Sequence, residues 1–256
     1  MAISSAGNFP PLFCVYGEPL KLALKLRKKR PVYSLNTAYG VGGISTAPSD
    51  ISEAADIYIK AIQSVQSDGP YFLYGHCSGA AIAYEIAMRL LADAHEVSHV
   101  FMLEPSFDTK GMKQTAVIII KSIISTGITL ARFKALLSVS GLLLRSAPVI
   151  MRNNIQLVWS SVLGTVAPQQ LRFDSQQRKI APSVKTYIYT ELGCPVSLIY
   201  RNLDNAEISQ SERYWEKVVG HKVRVYSVDA SGEHLAVLAD APLQSVAAVI
   251  DRSIDG

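Results

Sequence analysis

The residues best suited to chemistry stand in the pentapeptide Gly75-His76-Cys77-Ser78-Gly79, which an apolar run precedes and an alanine-rich run follows. This order predicts a strand, a sharp turn and a helix. It is the pattern of a nucleophile elbow, in which the central side chain is exposed on a strained turn between two glycines, here Gly75 and Gly79. The N-terminus of the following helix would stabilise a thiolate, so Cys77 is the predicted nucleophile. The alternative is a small buried residue in a protein without activity.

A cysteine nucleophile is usually activated by a base, and His234 is the histidine in the right place for that role. It follows the last predicted strand, where the third member of such a triad stands in chain order. His76 lies inside the elbow itself. The other three histidines lie at the ends of predicted elements beside polar residues, and we predict them to be surface histidines: His95, His99 and His221.

The bulk properties favour one domain of 256 residues, with enough length for a sizeable core. A net charge of +4 compels no nucleic-acid partner. Cys14, Cys77 and Cys194 are far apart and have no metal-binding spacing, which favours reduced thiols, a cytoplasmic location and no metal site. The N-terminus has no pattern typical of a signal peptide.

Apolar runs that alternate with helical patterns predict parallel βαβ units over most of the chain. Ser49 or Asp50 can cap the helix that begins at Ile51. We expect strands within residues 11–17, 31–35, 71–74, 97–103, 195–200 and 223–228, and helices near residues 20–30, 51–65, 78–91, 209–219 and 242–254.

Residues 109–184 break this alternation, because they are apolar yet interrupted by lysines and arginines. No stretch reaches the roughly 18 uncharged apolar residues of a transmembrane helix. We predict a helical lid, inserted between strands of a single domain over residues 1–256, that forms an apolar tunnel for an acyl chain. Extra core helices and a pair of helices on a membrane surface remain alternatives.

Residues 69–87 resemble the elbow region of the thioesterases that serve polyketide and nonribosomal peptide assembly lines. They share a Gly-Pro-Tyr strand, the elbow and an alanine-rich helix with Ala-Tyr-Glu. Residues 11–17, 51–65 and 232–235 match three further segments of that family. The resemblance implies an α/β-hydrolase fold with a mostly parallel sheet, helices on both faces and a lid. It also implies an acyl thioester substrate on the phosphopantetheine of an acyl or peptidyl carrier protein, and no cofactor of its own.

The same resemblance implies two alternatives for the acid of the triad. Releasing thioesterases usually carry an Asp after the strand that follows the elbow helix, and Glu104 stands there in this chain. Stand-alone editing thioesterases carry the acid after the next strand, where Asp204 stands. Either carboxylate would hold the imidazole in one tautomer and stabilise its cation.

The predicted oxyanion hole combines the backbone N–H of Ser78 with one from the loop Tyr16-Gly17-Glu18. The family often has a His-Pro-x-Gly-Gly loop at this position, and this chain departs from it. Which amide of the three donates is therefore left open.

The sulfur of Cys77 suggests what happens to the acyl group. A cysteine makes a thioester from a thioester, so the acyl group stays activated toward amines, thiols and carbanions. Relatives of thioesterases with an elbow cysteine include Dieckmann-type cyclases, lactam-forming release domains and aminoacyl shuttles, and this chain looks most like the stand-alone cyclases. We predict chain release by cyclisation. A hydrolytic editing or releasing thioesterase, an acyl shuttle between carrier proteins and a non-catalytic binder of a lipid-like ligand are the alternatives.

Overall fold

The computed structural model describes residues 1–5, 7–36, 48–105, 169–232 and 234–253, without the side chains of residues 169–171 and 234. The chain divides into two compact units. The first comprises residues 1–37, 48–106 and 177–256 and carries every described strand. The second comprises residues 38–47 and 107–176, of which only the helical residues 169–176 are described.

The first unit is built on a seven-stranded sheet with the strand order β1-β3-β2-β4-β5-β6-β7. The strands are β1 Ala2–Ser4, β2 Leu12–Val15, β3 Val32–Leu35, β4 Tyr71–His76, β5 Val97–Leu103, β6 Val196–Arg201 and β7 Arg224–Val228. The described helices are α1 Pro19–Lys25, α2 Ile51–Gln63, α3 Ser78–Ala92, α4 Gln169–Thr186, α5 Asn205–Val219, a 3-10 helix His234–Leu238 and α6 Asp240–Ser253.

Strands β2 to β7 are parallel to their neighbours, and only β1 pairs in the antiparallel direction. The sheet is therefore mostly parallel, as predicted. In a parallel sheet all carboxyl ends lie along one edge, which is where ligands bind in open α/β sheets. The register sets His76 of β4 beside Leu103 of β5, and Leu103 beside Ile199 of β6. The residues that follow these three strands are consequently neighbours.

Helices cover both faces of the sheet. Alternate strand residues, among them Cys14, Tyr74 and Leu103, form a core cluster with side chains of α1 and α6. Their sequence neighbours point to the other face, where α3 packs on β4 and β5 and contacts α2. Strands buried on both faces read as continuous apolar runs rather than alternating ones, which is the pattern of residues 71–74 and 100–103.

The prediction for the first helix is wrong at its C-terminal end. Helix α1 ends at Lys25, five residues before the expected boundary. The carboxylate of Asp251 in α6 accepts the backbone N–H groups of Arg27 (2.8 Å) and Lys28 (3.3 Å). These amides are thus bonded to a residue more than 200 positions away, and the helical pattern of the sequence carries no sign of that contact.

Side-chain caps account for two other helix starts. Asp50 accepts the backbone N–H of Glu53 at 2.8 Å, which confirms a start at Ile51. Helix α5 begins at Asn205, four residues before the expected start. Asp204 and Glu207 form a capping box there, in which each side chain accepts the backbone N–H of the other residue.

The predicted lid over residues 109–184 falls mostly outside the described residues. Residues 109–168 are not described, and residues 169–184 belong to α4, which continues to Thr186 and contains Pro182. Within the first unit, Ile180 of α4 is buried and the Ser183 hydroxyl accepts the backbone N–H of Ile51 at 3.1 Å. The lid remains a prediction. Of the described helices, none has the length and apolarity needed to cross a bilayer.

Candidate active site

The elbow places Cys77 between β4 and α3 in a strained backbone conformation. Its φ is 55° and its ψ is −118°, a combination that residues with a side chain rarely adopt. The backbone N–H of Cys77 donates to the carbonyl of Leu103 at 2.9 Å, which ties the turn to the end of β5. The turn is thus held by the sheet, and its central side chain is partly exposed.

The two glycines of the elbow are required by close backbone contacts. A Cβ on Gly75 would lie 2.2 Å from the carbonyl oxygen of Gly79 and 2.6 Å from the Cα of Ala80. A Cβ on Gly79 would lie 2.3 Å from the carbonyl oxygen of Val15, at the end of β2. Any larger residue at either position would displace backbone. The spacing of the pentapeptide is therefore explained by packing around Cys77.

The three thiols differ in their surroundings. Cys14 and Cys194 are buried, whereas Cys77 is partly exposed. Burial raises the pKa of Cys14 well above its ordinary value and the pKa of Cys194 to about 12. Buried thiols of this kind are unreactive, so Cys77 is the thiol available for chemistry. No group of three or more His, Cys, Asp or Glu side chains among the described residues is arranged to hold a metal ion.

The loop after β2 approaches the start of α3 and is the candidate second half of an oxyanion hole. Tyr16 has a φ of 64° and Gly17 a φ of 73°, and Glu18 precedes the first residue of α1. The contact between Gly79 and Val15 brings this loop next to the elbow. As the first residue of α3, Ser78 has a backbone N–H without an acceptor inside the helix.

A residue that the sequence did not single out touches the elbow from α4. The hydroxyl of Ser78 donates to Oε1 of Gln177 at 2.7 Å. This bond joins the residue after Cys77 to the part of α4 that belongs to the first unit. No motif marks Gln177, because it lies in a polar helical stretch that gives no local indication of its partner.

Glu104 stands directly after β5 and beside the elbow. Its backbone is in the left-handed region, with a φ of 47°, and its N–H donates to the carbonyl of Ile199 at 2.8 Å. Its carboxylate is mostly buried, with 14% of the side chain exposed. Oε1 accepts the backbone N–H of Arg201 at 2.6 Å, and Oε2 accepts the Nε–H of Arg201 at 3.3 Å. The structure thus directs this carboxylate toward the end of β6.

Asp204 stands three residues after β6 and has a structural partner. Its Oδ1 accepts the backbone N–H of Glu207 at 2.8 Å, as the N-cap of α5. The residue is exposed. Its carboxylate satisfies a helix terminus, which gives Asp204 a structural role besides the one that the resemblance implies.

The loop that leads to His234 is fixed from β6. Asn202, with a φ of 49°, donates from Nδ2 to the carbonyl of Ala230 at 2.7 Å and accepts the N–H of Ala230 at 2.9 Å. The guanidinium of Arg201 donates through Nη1 to the carbonyl of Gly232 at 3.2 Å. His234 is the first residue of the 3-10 helix, after β7 as predicted, and its side chain lies outside the described part of the chain.

The prediction of a surface histidine is wrong for His99. It lies within β5, is only 7% exposed and forms a hydrogen bond of 2.8 Å with the hydroxyl of Ser197 in β6. Its ring stacks on Phe101. Burial, with a smaller contribution from the charge of Arg224, lowers the pKa of His99 to about 4. His99 is therefore a neutral structural residue that joins two strands.

Sequence comparisons relate the chain to known enzymes. Residues 21–116 match the family model of the thioesterase domain. The chain is 25% identical over 99% of its length to a probable non-canonical nonribosomal peptide synthetase, CymA, of Salinispora arenicola. It is 32% identical over 41% of its length to a dimodular nonribosomal peptide synthase of Bacillus subtilis. The matched regions make up 3% and 5% of these much longer proteins.

Solved structures share the fold. A four-domain nonribosomal peptide synthetase bound to AMP and glycine matches 98% of this chain and 20% of its own chain, with a TM-score of 0.65 and 21% identity. The Vlm2 thioesterase domain, bound with a dodecadepsipeptide, matches 98% of this chain and 96% of its own, with a TM-score of 0.62 and 16% identity. These similarities show the α/β-hydrolase fold that the elbow predicted.

Proposed function

Because residues 21–116 match the thioesterase domain model, we propose that the chain transfers the acyl group of a carrier-protein thioester to the sulfur of Cys77 and releases it by cyclisation. The observation that carries this proposal is the elbow itself. Cys77 has a left-handed backbone conformation between two sterically required glycines, at the N-terminus of α3. A position that exposes its side chain holds a thiol, the side chain that depends least on activation by a base among the common nucleophiles.

In the first half of the proposed reaction, the thiolate of Cys77 attacks the carbonyl carbon of the acyl thioester. The carbonyl oxygen becomes an oxyanion, which the backbone N–H of Ser78 and one N–H of the Tyr16–Gly17 loop would stabilise. The bond between the carbonyl carbon and the phosphopantetheine sulfur then breaks. His234 takes the proton of the Cys77 thiol and returns it to the departing carrier thiol, which leaves an acyl-Cys77 thioester.

In the second half, a nucleophile within the acyl chain attacks the carbonyl carbon of the acyl-Cys77 thioester. His234 takes the proton of that nucleophile, the carbon–sulfur bond to Cys77 breaks, and the proton passes to the Cys77 thiolate. The ring is closed and the enzyme returns to its starting state. Ring closure is more favourable from a thioester than from an oxygen ester, because the carbonyl of the thioester is more strongly activated toward amines and carbanions.

We further propose Glu104 as the acid that orients His234. Glu104 follows the strand that is hydrogen-bonded to the elbow, and its carboxylate is largely buried. Asp204 is exposed and is occupied in capping α5. A buried, oriented carboxylate can hold an imidazole in one tautomer, whereas an exposed one is screened by water. The burial and hydrogen bonds of the two carboxylates therefore support Glu104 rather than Asp204 as the acid of the proposed triad.

Intact-protein mass spectrometry tests the proposal directly. The protein is incubated with an N-acetylcysteamine thioester or an acyl-loaded carrier protein, and the mass of the acyl adduct is measured. We expect one adduct on the wild-type chain and none on Cys77→Ala. The matched control is Cys194→Ala, which removes a buried thiol and should still be acylated. Equal acylation of wild type and Cys77→Ala would refute the role of Cys77.

Cys77→Ser separates cyclisation from hydrolysis. The serine variant would form an oxygen ester, which is less activated toward internal amines and carbanions than the thioester. We therefore expect a larger share of hydrolysed acid and a smaller share of cyclic product, measured by liquid chromatography of the released compounds. If the two enzymes release the same products in the same ratio, the sulfur does not direct release, and a hydrolytic thioesterase becomes the better description.

A further inference from the structure

Arg201 connects two parts of the candidate site that lie far apart in the sequence. It is the last residue of β6, and 23% of its side chain is exposed. Its backbone N–H and its Nε–H donate to the two different carboxylate oxygens of Glu104, at 2.6 and 3.3 Å. Its Nη1 donates to the carbonyl of Gly232 at 3.2 Å. One residue thereby contacts both the acid and the loop that leads to His234.

We propose that Arg201 is a positioning residue, which sets the orientation of the Glu104 carboxylate and the place of the loop that carries His234. The inference rests on the proposed function, in which Glu104 and His234 act with Cys77. Donors on both oxygens define the plane of a carboxylate, and charge-assisted bonds are the stronger ones. A carboxylate accepts about four hydrogen bonds, so a bond from an imidazole is compatible with the two from Arg201.

The loop needs such an anchor because of its own composition. Gly232 has a φ of 117°, and glycine restricts the backbone less than any other residue. Asn202 holds the loop at Ala230, and Arg201 holds it at Gly232, two residues before the histidine. Without the second anchor, Gly232 would be free to take other conformations. A displacement of about 1 Å at a catalytic group can cost about 100-fold in rate.

Lysine cannot replace arginine in this arrangement. An ammonium group is a point charge, whereas the guanidinium carries donors on several sides of a rigid plane. Arg201→Lys would keep a positive charge near Glu104 and lose the simultaneous contact with Gly232. Arg201→Met would lose both side-chain contacts and keep the backbone N–H bond to Oε1. The two variants therefore separate the charge from the bridging geometry.

The test is the rate of Cys77 acylation in the full chain, followed by quenched mass spectrometry with an N-acetylcysteamine thioester, together with kcat and KM for turnover. We expect Arg201→Met to lower the acylation rate and kcat about 100-fold with little change in KM. Arg201→Lys should recover only part of this loss. The matched control is Arg224→Met, an exposed arginine on the neighbouring strand β7, which should acylate at the wild-type rate.

A double variant distinguishes a positioning role of Arg201 from a general loss of structure. If Arg201 acts through Glu104, Glu104→Gln with Arg201→Met should be little worse than Glu104→Gln alone. The inference would be overturned if the losses of the two single variants multiplied fully in the double variant. It would also be overturned if Cys77 of Arg201→Met were acylated at the wild-type rate. If Arg201→Met does not fold, wild-type kcat in a folded Arg201→Lys would overturn it as well. If Cys77 of the wild-type chain is never acylated, the proposed function and this inference are both overturned. The adverse outcomes with the Arg201 variants overturn the inference alone and leave the proposed function unaffected.

Discussion

The carboxyl ends of β5 and β6 look alike in the backbone and differ in what their carboxylates do. Each strand is followed closely by a residue with a left-handed backbone, Glu104 after β5 and Asn202 after β6. The carboxylate of Glu104 is turned inward and bonded to Arg201. The carboxylate of Asp204 is turned toward solvent and caps a helix. The comparison shows that the position of an acid after a strand does not determine its surroundings, which depend on the hydrogen-bond partners that the fold supplies.

The largest expected effect separates these two acids by activity. Glu104→Gln keeps the size of the side chain and removes its charge, so the imidazolium of His234 would lose its stabilising partner. We expect acylation of Cys77 to slow by about 10²- to 10⁴-fold. Asp204→Asn, the matched variant at the other strand, should acylate at close to the wild-type rate. A greater loss in Asp204→Asn than in Glu104→Gln, measured by quenched mass spectrometry, would reverse the two assignments.

The free energy of unfolding should also depend on pH through His99, which joins β5 to β6. Burial lowers the pKa of His99 from 6.5 to about 4, so the unfolded chain binds the proton first as the pH falls. The contribution of neutral His99 to the free energy of unfolding is complete above pH 6.5 and is lost as the pH falls from 6.5 to 4. This contribution is about 3 kcal/mol at most.

Urea unfolding at several pH values measures this dependence. His99→Gln has no titrating group at the position and can still bond Ser197 in β6. We expect its free energy of unfolding to fall less steeply between pH 6.5 and 4 than that of the wild type. Parallel curves for the two proteins would mean that other groups cause the acid sensitivity of this region.

The third expected effect concerns the left-handed residue after β6. Asn202→Ala removes both side-chain hydrogen bonds to Ala230. It also places alanine at a φ of 49°, where no side-chain amide then supports the left-handed backbone. We expect a loss of about 1–3 kcal/mol in the free energy of unfolding. Asn202→Gly loses the same bonds without the conformational cost, so it should be less destabilised. If the two variants unfold at the same denaturant concentration, backbone conformation contributes nothing here.

The smallest expected effect tests the capping role of Asp204. Asp204→Ala removes the acceptor for the Glu207 N–H and should cost about 1 kcal/mol of stability. In a chain of this size that corresponds to a fall in Tm of about 2–4 °C. Asp204→Ser, which can still cap, is the control and should recover most of the loss. A Tm unchanged in Asp204→Ala would remove the structural explanation for this carboxylate.

Local features were predictable because neighbours in sequence create them. The elbow needs a glycine two residues before and two residues after Cys77, since Gly75 meets Gly79 at backbone distance and Gly79 meets Val15. Strand β5 was predicted with its observed bounds because its last four residues form an apolar run that Glu104-Pro105 ends. By contrast, β1 has one exposed and two half-buried residues at the edge of the sheet, too few to form a pattern.

Contacts between distant parts of the chain were beyond any such pattern. His99 reads as a polar residue near an element end, and only its pairing with Ser197 shows why it is buried. Helix α1 stops early because Asp251 takes the amides that would continue it. In both cases the partner lies about a hundred or more residues away. Helical and strand periodicities describe one segment at a time and contain no information about such a partner.

The sequence by itself determined the elbow and its setting: a thiol on the turn between a strand and a helix, at the carboxyl edge of a mostly parallel sheet, in a chain whose residues 21–116 match the thioesterase domain model. Only the tertiary structure distinguished the two acids and joined Glu104 to Arg201 across 97 residues of sequence. The physical reason is the range of the forces involved. Steric fit at glycines and apolar periodicity act within a few residues, whereas the direction of a carboxylate is set by whichever donors the folded chain brings beside it.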